Sequence, residues 1–241
     1  MHRLVEEDGS LRLEILYRVI GKGTEWLSMR KKGETLNVLG PLGNGFLIEE
    51  TVTDVVLIAR GIAIAPLCAV AELVRNRGGA ANIHILMGAR FSGRIFSEEA
   101  LRRLGALHVY TDDGSRGYHG RAPEFLLHLL KTQKLPKSFT LYACGPTPML
   151  KELADLSERF HLQGQVALEA HMGCGFGACL SCAIPLKPRL IRKNALWPKP
   201  ALQWSEDRSS VYSLVCKDGP IYDIQEVDWD EWLAGSLYQD W

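Results

Sequence analysis

Residues 54–74 read DVVLIARGIAIAPLCAVAELV. After Asp54 the run Val55 to Ala59 is continuously apolar, the pattern of a strand covered on both faces. Arg60-Gly61 breaks it. Pro66 then opens a second apolar stretch that ends near Gly78, with proline placed for a first helical turn and glycine for a helix stop. The whole segment has the length of a membrane span, but Arg60, Gly61, Pro66 and Glu72 interrupt it. A strand, a turn and a helix account for it better.

The alternation repeats outward along the chain. NIHILMGA (82–89) is a second buried strand, and SEEALRRLG (97–105) a short helix with Ser97 placed as a cap and Gly105 at its end. LHVYT (107–111) is a third strand and APEFLLHLLKT (122–132) a helix; FTLYAC (139–144) is a fourth strand and TPMLKELADLSERF (147–160) a helix. Strands alternating with helices predict a parallel, doubly wound α/β sheet over roughly 51–160. Upstream, LRLEILYRV alternates apolar and polar, GKGT breaks it, and ETLNVLGPLGNGF ends in a glycine-rich turn. Residues 11–50 therefore read as short strands and turns, part of a small antiparallel barrel. Downstream, QVALEA (165–170) suggests one more strand, 186–210 is an irregular stretch rich in proline, lysine and arginine, and VYSLVCKDGP (211–220) is a strand and turn.

The 241 residues carry 28 basic and 28 acidic side chains, with no long run of either sign. Composition thus gives no sign of nucleic acid or an anionic membrane as partner. MHRLVEEDGS is too polar and acidic for a signal peptide, so a reducing cytoplasm is the expected location. There, clustered cysteines read as metal-binding or redox-active rather than disulfide-bonded.

Such a cluster is present. HMGCGFGACLSCAIP (171–185) holds Cys174, Cys179 and Cys182, and Cys216 lies downstream. Cys-x4-Cys-x2-Cys with a distant fourth thiol is the plant-type arrangement for a [2Fe–2S] cluster. Three thiolates must wrap a net-negative cluster while backbone N–H groups approach sulfur. Gly173, Gly175, Gly177, Ala178 and Ala183 leave room for that. A four-thiolate zinc site is the rival, although zinc sites usually show two short Cys-x2-Cys pairs and no second pair is present. Buried cysteines with no metal are the third reading. Cys68 and Cys144 are spare candidates on the α/β portion.

Two turns suit a nucleotide. ARGIAIAPL (59–67) has small residues where a pyrophosphate could approach the backbone, though it is no G-x-G-x-x-G. ACGPTPML (143–150) ends the fourth strand, on the edge where such sheets bind ligands. TDDGSRGYHG (111–120) lies on the same edge. Arg90 and Arg94 suit either a solvated turn or a 2′-phosphate. Five of the six tryptophans, Trp197, Trp204, Trp229, Trp232 and Trp241, lie near the C-terminus. They suit an interface, with at least two rings exposed, as well as they suit a local core.

YRVIGKGT, GPLGNGF, GIAIAPL, GAR, TDDGS, YACGPTPML, LEAHMGCGFGACLSCAIP and VCKDGP occur in that order. Together they resemble the electron-transfer subunits of NAD-dependent dihydroorotate dehydrogenases, in the ferredoxin–NADP reductase-like superfamily. The resemblance implies three domains: an FAD-binding barrel (1–50), an NAD-binding α/β domain (51–160) and a [2Fe–2S] segment (161–241) with an insertion at about 186–210. It implies that Cys174, Cys179, Cys182 and Cys216 ligate the cluster. It also implies that Tyr17, Arg18, Gly23 and Thr24 contact FAD, and that Gly61 and Cys144-Gly145-Pro146 flank NAD(H). The implied partner is an FMN-containing catalytic subunit of the dihydroorotate dehydrogenase type, in pyrimidine biosynthesis, and no catalytic acid or base is expected on this chain. The family's Arg-Pro-x-Ser flavin motif is absent, so the barrel is expected to lack its first strands and to hold FAD weakly or not at all. Related alternatives are the reductase subunit of a sulfide dehydrogenase, an NADH–ferredoxin oxidoreductase or an anaerobic sulfite reductase. A different class is an iron–sulfur binding module without flavin.

Overall fold

The computed structural model describes residues 3–7, 9–77, 82–191, 203–204 and 211–235. Its first elements are β1 (Arg3–Glu7) and β2 (Ser10–Glu14), an antiparallel pair, followed by the short helix α1 (Lys22–Ser28). Over 11–50, β2 is the expected strand that finds a partner; the rest, apart from α1, is turns and irregular backbone without ladder bonds. The helix forms where a turn was expected because Thr24 closes its start. The Thr24 hydroxyl accepts from the Ile20 N–H at 2.9 Å and the Gly21 N–H at 3.2 Å, and donates to the Gly21 carbonyl at 3.0 Å. That satisfies groups a helix end otherwise leaves open.

Next come β3 (Asp54–Arg60), a single 3₁₀ turn over Gly61–Ala63 and α2 (Ile64–Asn76). β4 (Asn82–Ala89), α3 (Glu98–Leu104), β5 (Ala106–Thr111), β6 (Tyr118–His119) and α4 (Ala122–Lys131) follow. β7 (Thr140–Cys144), α5 (Thr147–Phe160) and β8 (Gln163–Ala167) complete the alternation. These strands form a sheet in the order β8-β7-β3-β4-β5-β6, all parallel.

β3 explains the layering. Val55 through Ala59 are completely buried, and a strand's side chains alternate between faces. Val55, Leu57 and Ala59 pack in the core that includes Leu67, Val70 and Ala71 of α2. Val56 and Ile58 pack in the core that includes Leu126 and Leu129 of α4 and Leu150 and Leu153 of α5. Each fully buried aliphatic side chain stabilises the fold by roughly 1.5–3 kcal/mol. The chain runs outward from β3 to β6, then returns to lay β7 on the other side of β3. The strand order therefore switches between β3 and β7, where Ala59 pairs with Cys144.

The C-terminal portion packs on the second of those cores. β9 (Ala183–Leu186) leads into α6 (Pro188–Ile191), and β10 (Gln203–Trp204) and β11 (Val211–Leu214) join β9 in a three-stranded sheet, order β10-β11-β9. β12 (Ile221–Asp223) adds antiparallel to β8, and α7 (Trp229–Gly235) follows. Most of the expected insertion, 192–202 and 205–210, lies outside the described residues. Trp229 is buried with its indole N–H on the Ile224 carbonyl at 2.9 Å, and Trp232 packs against it with ring centroids 5.8 Å apart. These two behave as local core; the rings of Trp197, Trp204 and Trp241 lie outside what the structure describes. Among the described residues no helix is long and apolar enough to cross a membrane.

One pair should make the sheet sensitive to pH. His84 of β4 and His108 of β5 stack at 5.4 Å with Nδ1 and Nε2 3.1 Å apart. Burial lowers both pKa values; Asp54 opposes the shift at His84, while His84 and Lys134 add to it at His108. A depressed histidine means the folded state binds fewer protons than the unfolded one. Its contribution is fully present above the ordinary value of 6.5 and is lost as pH falls below it. Melting temperature should be flat from pH 8 to 7 and then decline toward pH 5. His84→Asn/His108→Asn should flatten that decline, and an unchanged slope would show that other groups carry it.

Candidate functional site

The strand order switches between β3 and β7, and open α/β sheets receive their ligands beyond the carboxyl ends of the strands at such a switch. Gly61 follows β3, and Cys144-Gly145-Pro146 ends β7, so the fold brings these four sequence-selected residues to one edge. Cys144 is buried there, and burial followed by the nearby Glu169 charge pushes its thiol far up, so it stays protonated. Two further residues meet at this edge that the sequence did not single out as a pair. The Arg60 guanidinium at the end of β3 bonds the Asp112 carboxylate just past β5. Tyr110 donates to the Ala59 carbonyl at 3.1 Å beneath them. Arg94 lies over the Phe91 ring at 5.7 Å, and the Arg90 carbonyl accepts from the Asp113 N–H at 3.3 Å. Tyr17 is half-buried and Arg18 exposed on the irregular segment before α1, while Gly23 and Thr24 lie within that helix.

The four selected cysteines fall into two pairs. In the loop after β8 the Cys174 N–H donates to the Cys179 sulfur at 3.3 Å. The Ala178 and Cys179 N–H groups donate to the Cys174 sulfur at 3.2 and 3.4 Å. Gly177 sustains this wrap at φ +91°, a conformation that side chains disfavour, and a Cβ there would lie 2.9 Å from Lys217. Cys182, at the foot of β9, and Cys216, after β11, form the second pair with sulfurs 3.3 Å apart in the core. The pairs differ electrostatically. The Ser181 hydroxyl and backbone N–H, with help from Cys174, hold the Cys179 thiol down to about 6, and backbone N–H groups from Phe176 onward lower Cys174. Burial, then the Cys182 thiol, pushes Cys216 up to about 11.

The donor set fits a binuclear cluster better than a single ion. Among the described residues no three histidine, cysteine or acidic side chains converge for one metal. Structural zinc draws its ligands around one centre. A [2Fe–2S] centre takes two protein ligands on each iron, so paired thiols with N–H groups aimed at sulfur suit it.

The turn that carries Cys216 falls where the sequence places one, and it is held by side-chain bonds that the sequence does not reveal. Asp218 is buried and accepts from the Leu214 N–H at 3.0 Å. Asn44, from the GPLGNGF stretch, bonds this turn from 174 residues away. Gln165 and Tyr142 fix the same N-terminal segment at Leu47: Gln165 accepts from the Leu47 N–H at 2.9 Å, and its amide and the Tyr142 hydroxyl donate to the Leu47 carbonyl at 2.7 and 3.1 Å. Polar residues between glycines read as turn formers, and nothing in one sequence marks such distant pairings.

Residues 169–193 match the family model described as the iron–sulfur cluster binding domain of dihydroorotate dehydrogenase B. The chain is 36% identical over 216 residues to the dihydroorotate dehydrogenase B (NAD(+)) electron transfer subunit of Geobacillus kaustophilus, covering 88% of this chain and 73% of that one. The subunit of the same name from Caldanaerobacter subterraneus subsp. tengcongensis is 35% identical over 216 residues, covering 90% and 75%. Among solved structures, an NADH-dependent reduced ferredoxin–NADP oxidoreductase superposes with TM-score 0.71 at 30% identity, covering 90% of this chain and 69% of that one. The cytochrome b5 reductase domain of Ulva prolifera nitrate reductase shares the fold, with TM-score 0.50 at 22% identity over 59% and 61% of the two chains. With relatives this similar over almost all its length, and with Cys174, Cys179 and Cys182 inside the matched segment, the chain belongs to the family of dihydroorotate dehydrogenase B electron transfer subunits.

Proposed function

We propose that this chain moves electrons between NAD(H), FAD and a [2Fe–2S] cluster, to or from an FMN-containing dihydroorotate dehydrogenase subunit in pyrimidine biosynthesis. The observation that carries the reading is the arrangement of Cys174, Cys179, Cys182 and Cys216 as two thiol pairs. These four would hold the cluster. When bound, flavin bridges the two-electron chemistry of nicotinamide and the one-electron chemistry of iron–sulfur.

The chain's own residues supply binding and insulation. Gly61 and Cys144-Gly145-Pro146 would leave the backbone open to NAD(H) at the β3–β7 switch. Tyr17, Arg18, Gly23 and Thr24 would serve FAD from the 1–50 segment, with 51–160 as the nucleotide domain and 161–241 as the cluster segment. The Thr24 hydroxyl is already engaged at the start of α1, which supports weak FAD retention by these residues. Near the cysteine loop, Met172, Phe176 and Leu180 are large apolar side chains left exposed. They suit docking of the catalytic subunit there. The likeness to a ferredoxin–NADP oxidoreductase keeps that type of complex as the second reading, but the cluster-domain match favours the first.

Anaerobic chain supplied with FAD should show flavin bleaching and cluster reduction when NADH is added, read by visible absorption. A cluster spectrum unmoved by NADH would instead indicate an iron–sulfur module without reductase function.

A further inference from the structure

We propose that Asn44 is a positioning residue for Cys216: it clamps the 214–221 turn from the N-terminal segment and so keeps the fourth thiolate against Cys182. This rests on Cys216 being a cluster ligand. The Asn44 amide donates to the Asp218 carbonyl at 3.0 Å and the Ile221 carbonyl at 2.9 Å. Its side-chain oxygen accepts from the Ile221 N–H at 2.9 Å. Its own backbone N–H donates to the Gly219 carbonyl at 2.6 Å. One side chain and its peptide thus satisfy backbone groups on both sides of Gly219-Pro220, two to five residues from Cys216.

The approach is close enough to require glycine beforehand. Gly43 sits at φ +71°, and a Cβ there would lie 2.3 Å from the Gly219 carbonyl oxygen. Inside the turn, the Asp218 N–H and side chain bond the Leu214 peptide, and the Val215 N–H donates to the Cys182 carbonyl at 3.1 Å. The turn is therefore tied to Cys182 on its inner side and to Asn44 on its outer side. A thiolate that must stay in register with a partner on another strand needs both ties. Outer partners of this kind orient metal ligands, and losing one costs about 10–100-fold in affinity.

The same N-terminal segment is also fastened at Leu47 by the side chain of Gln165 on β8, which makes its hydrogen bonds to Leu47 and none to residues 214–221. Gln165→Ala is therefore the control for simple loosening. The experiment uses the full chain, purified anaerobically, and measures iron and sulfide release to a chelator together with the visible circular dichroism of the cluster. Asn44→Ala should lose its cluster about ten-fold faster than the parent. Asn44→Asp, which keeps the shape but turns a carboxylate onto two carbonyls, should remain folded and shift the cluster dichroism. Gln165→Ala should keep the parental release rate and dichroism. Parental behaviour in both Asn44 variants overturns the proposal. So does equal release from Asn44→Ala and Gln165→Ala, because the effect is then general loosening. A parent with no iron and sulfide overturns the cluster reading first, and this inference with it.

Discussion

Cys216→Ser should empty the cluster site, while Cys68→Ser leaves it filled. Cys216 and Cys182 face each other in the core at 3.3 Å, so no nearby solvent or spare thiol can take over for either. Burial holds the free Cys216 thiol at about 11, which means its deprotonation must come from metal binding itself. Serine offers a harder oxygen whose proton is held more tightly, and the second pair then has one thiolate. Iron and acid-labile sulfide should fall by about ten-fold or more. Cys68 lies on α2 in the core on the opposite face of the sheet. Its replacement buries a hydroxyl at a cost of about 1–3 kcal/mol and touches no ligand. Full iron in Cys216→Ser, or empty protein from Cys68→Ser, would assign the fourth ligand elsewhere.

Gly88→Ala should be among the most destabilising single changes in the parallel sheet. Gly88 of β4 pairs with Tyr110 of β5, and the Tyr110 ring lies over it; a Cβ at Gly88 would fall 1.9 Å from the ring. The ring is fully buried, tilted against Phe125 at 5.9 Å, with its hydroxyl on the Ala59 carbonyl. It cannot move without losing all of these. Overpacking plus the lost packing and hydrogen bond should cost about 3–5 kcal/mol. For a chain of this size that lowers the melting temperature by roughly 6–20 °C. Gly88→Ala/Tyr110→Ala should be less unstable than the sum of its single changes, since removing the ring removes the clash. A melting temperature for Gly88→Ala within a degree of the parent would contradict this packing account.

The regular parts of the fold are legible because periodic burial writes them locally. NIHILMGA became β4 and TPMLKELADLSERF became α5 at the boundaries read from their patterns. The cysteine spacing marked the loop for the same reason: its chemistry is local. Elements set by non-periodic side-chain bonds were not legible. α1 starts because one threonine hydroxyl closes on Gly21, which looks like a turn in sequence. The strands expected over 11–50 depend on partners. Leu11, Leu13 and Ile15, on one face of an alternating stretch, are 69%, 45% and 51% exposed because among the described residues no third strand joins the β1–β2 pair. The Arg60–Asp112 pair and the Asn44 clamp join residues 52 and 174 positions apart. Hydropathy carries no record of such pairings; they follow from the strand order, which sets the edges beside one another.

The most direct measurement is a count of iron, zinc and acid-labile sulfide on one anaerobic sample of the full chain, with the electron paramagnetic resonance spectrum after dithionite reduction. A [2Fe–2S] centre held by Cys174, Cys179, Cys182 and Cys216 predicts about two irons and about two sulfides per chain, with a reduced-cluster signal that Cys216→Ser removes. Stoichiometric zinc with no sulfide and no signal would contradict it.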